Sequence, residues 1–193
     1  MKNLELFYSI SVKSPSGIVL SHAGACPAHS FCKSFSQLLF NVGFGAAFGV
    51  PAAVTDTGGS SVTLASDMGY AVNAAITVTT YGIQVGTGTG TESINDTAIG
   101  TLIAHGTGAG QLQYGAVTFG APSTTATTTT FRITRVFTNG SAGAITVQEI
   151  TLVGRQTGGA PAASFLLVRD LTGAVSVGVG AQLTVNYNLT TTI

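Results

Sequence analysis

The sequence predicts an all-β protein, a β-sandwich or jelly-roll-like barrel with one helix inserted near the N-terminus at about residues 28–41. Three observations carry this. Short runs alternate apolar and polar residues with period two, Gly- and Asn-rich turns separate them, and a single segment has the 3.6-residue period.

In chain order, Leu4, Leu6, Tyr8, Ile10 and Val12 alternate with Glu5, Phe7, Ser9, Ser11 and Lys13, the pattern of a strand with one buried face. Ser14-Pro15-Ser16-Gly17 closes it, and a short strand follows near Ile18–Leu20. Phe31, Phe35, Leu38, Leu39 and Val42 then form one helical stripe, with Pro27 suited to the first turn and Gly43 to the end. Residues 43–59 are rich in Gly, Ala and Phe, end in the turn Asp56-Thr57-Gly58-Gly59, and read as a loop or arm. Val62–Ala65 and the longer Ala74–Val85 read as strands. The alternate glycines of Gly86–Thr91 and of His105–Gly110 read as flexible connections, and Ser93-Ile94-Asn95-Asp96 as the cap of one helical turn. Leu112, Tyr114 and Ala116 restart the alternation.

The clearest local signal lies in the last third. Phe131, Ile133, Arg135 and Phe137, then Asn139-Gly140, then Ile145, Val147 and Glu149 predict a β-hairpin around an Asn-Gly turn. Phe165–Val168, Val175–Val179 and Leu183–Leu189 complete the strands. At 193 residues one domain is expected, carrying a core of ordinary size.

Composition excludes whole classes of function. Seven Lys+Arg balance seven Asp+Glu, only 7% of the chain, where a soluble domain carries about 25%. A chain 45% hydrophobic is not disordered, and without a basic surface no nucleic-acid partner is expected. Met1–Ile10 has no apolar run of signal-peptide length, and Ser34–Thr55 is too interrupted to span a membrane. With 29 threonines and 26 glycines, much of the exterior is polar but uncharged. Such a surface resists self-association weakly, so contact with sister copies is expected.

No constellation points to catalysis, and no cofactor is expected. His22, Cys26, His29 and Cys32 have the residue types of a tetrahedral zinc site, yet Gly24 and Pro27 interrupt the helix that would align them. A loop with small buried thiols is the simpler expectation. The alternate glycines match neither GxGxxG nor a P-loop. His105 precedes a Gly-rich loop but no GxSxG nucleophile exists, and Asp56 suits a turn that satisfies backbone donors. Six of the charges, Arg132, Arg135, Glu149, Arg155, Arg169 and Asp170, fall within the last third. Ion pairs in or between sheets are their simplest use. The interface candidates are Phe44, Phe48 and Val50 in the arm, with Arg132, Arg135, Glu149, Arg169 and Asp170.

The run Phe131–Ile150 (FRITRVFTNGSAGAITVQEI) resembles a strand-turn-strand segment of small structural proteins of tailed bacteriophage particles. Phe165-Leu166-Leu167-Val168-Arg169-Asp170 and the final strand from Gly180 to Tyr187 follow as in that family; Ile83–Gly88 and Ser30–Phe35 are similar too. Thr151 stands where the family pattern leads one to expect glycine. The resemblance implies a β-rich, non-enzymatic virion protein that forms a symmetric homo-oligomer in the capsid-decorating, neck or tail layer. Its implied partners are its own copies and capsid, portal or tail components, with neither nucleic acid nor membrane. A receptor- or glycan-binding fibre component and an outer-membrane-type β-barrel are the rival expectations.

Overall fold

The computed structural model describes residues 3–28, 31–40, 53–63, 69–157 and 162–192. The chain is all-β and sandwich-like, and among the described residues no sheet closes into a barrel. His29, Phe44, Phe48 and Val50 lie outside the described residues, as does the 43–52 part of the expected arm.

Sheet A has the order β2-β1-β12-β9-β7, made of β1 (Asn3–Lys13), β2 (Val19–Pro27), β7 (Gln113–Phe119), β9 (Thr128–Thr138) and β12 (Gln182–Thr192); the two-residue β8 (Ser123–Thr124) also pairs with β9. Sheet B is built on β10 (Ile145–Thr157). One edge of β10 takes the 14-residue β11 (Ser164–Val177); β6 (Gly82–Gly86) and β5 (Gly69–Ala71) share the other. All these pairings are antiparallel. A small third sheet joins β3 (Ala53–Thr55) to β4 (Ser61–Thr63), so the end of the expected arm is regular structure.

The core follows from the period-two pattern. Leu6, Tyr8, Ile10 and Val12 of β1 and Leu183, Val185 and Tyr187 of β12 are buried, while alternate residues face outward. They meet Ile145, Val147, Ile150 and Leu152 of sheet B in one continuous cluster.

The expected helix is shorter than its apolar stripe. α1 spans Lys33–Leu38. Phe31 instead forms a bridge with Val168, and the Cys32 amide donates to the Leu167 carbonyl at 2.9 Å. Pairing with the outer edge of β11 thus holds Phe31, the first residue of the stripe, and its neighbour Cys32 extended. Pro27 ends β2, an edge strand where its missing N–H costs no ladder bond. The second strand is correspondingly longer than Ile18–Leu20.

Two further expectations are corrected. Ala74–Val85 is not one strand: residues 72–81 form a loop that includes Thr77 at φ 72°, the single non-glycine residue with positive φ among those described. The Asn139-Gly140 hairpin does not form either. β9 pairs with β12 and β7 in sheet A, while β10 pairs with β11, β5 and β6 in sheet B. Residues 139–144 therefore cross from one sheet to the other.

The physical reason is the Asn139 side chain, which is buried and points inward. Its Nδ2 donates to the carbonyls of Gly143 and Val177, both at 2.8 Å, and its Oδ1 accepts from the Ser141 amide at 2.9 Å and hydroxyl at 2.7 Å. Its backbone joins the second crossing, β11 to β12: the Asn139 N–H donates to Ala181 O and its carbonyl accepts from Gly180 N–H. One residue therefore ties both inter-sheet corners together.

Candidate functional site

Four of the scarce charged side chains, Arg135, Glu149, Arg169 and Asp170, are buried inside the protein. Glu149 is fully buried, and its carboxylate accepts four hydrogen bonds. Oε1 takes the amides of Gly88 (2.8 Å) and Thr101 (2.7 Å); Oε2 takes the Gly100 amide (3.1 Å) and Arg169 Nε (3.0 Å). Arg169 continues to Asp96 Oδ2 at 2.9 Å and to the carbonyls of Gly90 and Thr91. Burial pulls the Arg169 guanidinium down, but its bonds to Asp96 and Glu149 outweigh that and hold it above its ordinary range. This centre clasps the segment 88–101 against the outer face of sheet B.

Two of the alternate glycines, Gly86 and Gly88, are thereby explained. A β-carbon on Gly86 or Gly88 would collide with the Glu149 carboxylate. The backbone has to approach the buried acid closely enough to donate to it, and only glycine permits that. Beside them, Ser93–Asp96 forms a turn rather than a helix: the Ser93 amide donates to Asp96 Oδ2, and the Asp96 amide to the Ser93 carbonyl.

Arg135 is buried with no carboxylate of the described residues within ion-pair distance. Its donors reach five carbonyls instead: Gly115 (2.8 Å), Ile83 (2.8 Å), Val78 (2.6 Å), Ala75 (3.2 Å) and Tyr81 (3.4 Å). The guanidinium also lies 4.8 Å from the Tyr114 ring centre. Burial lowers it to about 10, so it is charged at neutral pH. Loop 72–81 wraps around this cation, which is why a Thr-rich segment of strand-like composition is not a strand.

The expected interface charges thus divide. Arg135, Glu149, Arg169 and Asp170 lie inside the chain, where their contacts are internal; Asp170 accepts from the Tyr187 hydroxyl at 3.1 Å. Arg132 is exposed and donates to Asn188 Oδ1 across the sheet at 2.8 Å. Arg155 is also exposed, its guanidinium 5.4 Å from the Tyr81 ring centre.

The structure places the remaining candidates apart from one another. His22 and Cys26 lie on strand β2, opposite Ser11 and Tyr8, so their four-residue spacing spans about 13 Å along the strand. Cys32 packs instead with Val153 and Leu166 beneath sheet B. Among the described residues no metal-binding cluster forms. Burial, with Asp96 adding to it and Arg169 opposing, pushes the Cys32 thiol up to about 12. His105 Nδ1 accepts the Tyr114 amide at 3.0 Å. Asp56 Oδ1 takes the amides of Gly58 and Ser60, as its turn context predicts. Thr151 hydrogen-bonds the buried Gln84 side chain at 3.2 Å, a use for a hydroxyl where glycine is expected.

Three surface features remain. Edge strand β2 and its turn expose Ile18 (65%), Val19 (53%) and Leu20 (60%) in succession. An apolar cleft of about 210 Å³ opens between the sheets, among Phe31, Phe35, Phe119 and Phe131. A larger recess of about 580 Å³, lined by polar and apolar groups, lies beside Arg155. The fold and these surfaces define an all-β sandwich-like protein with a neutral exterior. Comparison with protein-family models, curated proteins and solved structures finds no match.

Proposed function

We propose that the chain is a non-enzymatic structural protein of a bacteriophage particle, assembling with its own copies in the capsid-decorating, neck or tail layer. The resemblance of residues 131–150, 165–170 and 180–187 to phage particle proteins supports this reading. The observation that carries it is the edge of sheet A at β2, which has no further strand paired to it among the described residues. Ile18–Pro27 holds no charged side chain, and three consecutive aliphatic residues there face solvent. Edges left without charge are templates for pairing with another chain. Two irregularities in the β1–β2 register bend the strand, leaving Ser21–Ala23 as its regular central stretch.

Mass measurement of the purified protein, with class-averaged electron microscopy, tests the reading. Closed rings, trimers or copies bound to a shell are expected, and Val19→Lys with Leu20→Lys should dissociate them without unfolding the chain. A monomer across a wide concentration range, or assembly indifferent to both lysines, overturns it.

A further inference from the structure

The recess beside Arg155 is lined by polar groups that the fold leaves unused. Its inner wall is Gln84, whose amide is spent on the Thr79 carbonyl (2.6 Å) and on Thr151. Around it stand the side chains of Thr57, Thr79, Thr80 and Ser164, whose hydroxyls make no hydrogen bond within the described residues. Asp56 lines the recess as well, with Oδ1 taken by the amides of Gly58 and Ser60. Ala98, Ile99 and Leu102 supply an apolar wall, with Leu102 40% exposed. Arg155 is the cation of the recess. No carboxylate of the described residues lies within ion-pair distance of it, and the Tyr81 ring lies against its guanidinium.

We propose that this recess binds a small hydroxylated carboxylate, the chemistry of a uronic acid. A guanidinium stacked on an aromatic ring keeps its N–H edge free, and that fork matches a carboxylate with two parallel bonds. Four hydroxyls and a carboxylate oxygen are the partners that sugar hydroxyls need, and the aliphatic wall accepts the C–H face of a ring. Net charge does not select among anions, since Arg155 and Asp56 sum to zero; the aliphatic wall and the hydroxyls favour a carboxylate carried on a sugar ring over inorganic phosphate, which covers neither. The volume lies within the roughly 300–1,000 Å³ of small-molecule sites. This site is separate from the edge of β2, so failure of either reading leaves the other standing.

The test is calorimetric titration of the full chain, in whatever assembly state it adopts, with galacturonate, galactose and inorganic phosphate. Galacturonate should bind about tenfold tighter than galactose, the worth of one charge-assisted pair, and phosphate should not compete. Arg155→Gln should reduce galacturonate to the level of galactose, Ala98→Trp should abolish both by filling the recess, and Lys13→Gln should change nothing. Galacturonate binding no tighter than galactose, equal competition by phosphate, or unaltered binding to Arg155→Gln overturns the proposal. If Arg155→Gln does not fold, galacturonate binding retained by Ala98→Trp overturns it.

Discussion

Gly88 and Glu149 are locked together: the Gly88 amide donates to Oε1 at 2.8 Å, and a β-carbon on Gly88 would lie against that same carboxylate. Glutamate in mid-strand and glycine in a loop 61 residues away are one structural unit.

Gly88→Ala should therefore destabilise the protein by about 1–3 kcal/mol, the usual cost of overpacking a filled site. Gly90, two residues on, has open space where a β-carbon would sit, and Gly90→Ala should leave stability within about 0.5 kcal/mol. Urea unfolding of the two variants checks the pair. Equal effects would mean that glycine here serves flexibility rather than close approach.

Asn139→Ala removes the donors to the Val177 and Gly143 carbonyls, of which Gly143 keeps the Ser141 hydroxyl, and deprives the Ser141 amide of its acceptor. A cost of about 1–3 kcal/mol is expected from the buried groups left unpaired, and Asn139→Asp should cost more because it faces those carbonyls with a buried charge. The same burial should protect the Asn139-Gly140 bond. In the folded protein, mass spectrometry after prolonged incubation should find Asn139 intact, and deamidation should begin only when the chain is unfolded.

Alkaline pH should unfold the protein before the phenols of the folded state titrate. Burial raises Tyr8, Tyr70 and Tyr114 from 10 to about 12, and Tyr187 well above its ordinary value. Below pH 10 these groups are protonated whether the chain is folded or not, and the stability they contribute is fully present. Between pH 10 and 12 the unfolded chain has released protons that the folded chain retains, so stability falls. Arg135, lowered by burial to about 10, works the other way over the same range, but four phenols outnumber it. The urea midpoint should hold to pH 10 and then drop, with tyrosinate absorbance rising at the unfolding transition; a constant midpoint up to pH 12 would refute this.

Thiol reagents should separate the two cysteines. Cys26 is partly exposed on β2, whereas Cys32 is buried with its thiol raised to about 12. At pH 8 the folded protein should accept one label, at Cys26, and the unfolded protein two. Labelling of Cys32 at a comparable rate would show that α1 opens readily.

The strands were legible where one face is buried and the other wet. β1 and β12 follow their period-two pattern because each side chain's place depends only on alternation. Legibility failed where a distant partner overrides local preference. Phe31 fits a helical stripe but pairs with Val168, the Thr-rich 72–81 segment bends around Arg135, and Asn139-Gly140 has hairpin chemistry but joins two sheets. The glycines around Glu149 show the same limit, since nothing local to Gly86–Gly90 signals an acid from β10. The aliphatic run at Ile18–Leu20 was visible as a strand, but its exposure depends on β2 lying outermost in its sheet.

The pairing of β1 with β12 reaches beyond stability. Asn3–Lys13 is matched residue for residue with Gln182–Thr192, so β1 is seated against a strand far along the chain. On the ribosome, β1 leaves the exit tunnel long before the neighbour it needs. Sheet A is thus completed only after Gln182–Thr192 has emerged, and β1 waits through the synthesis of everything between them.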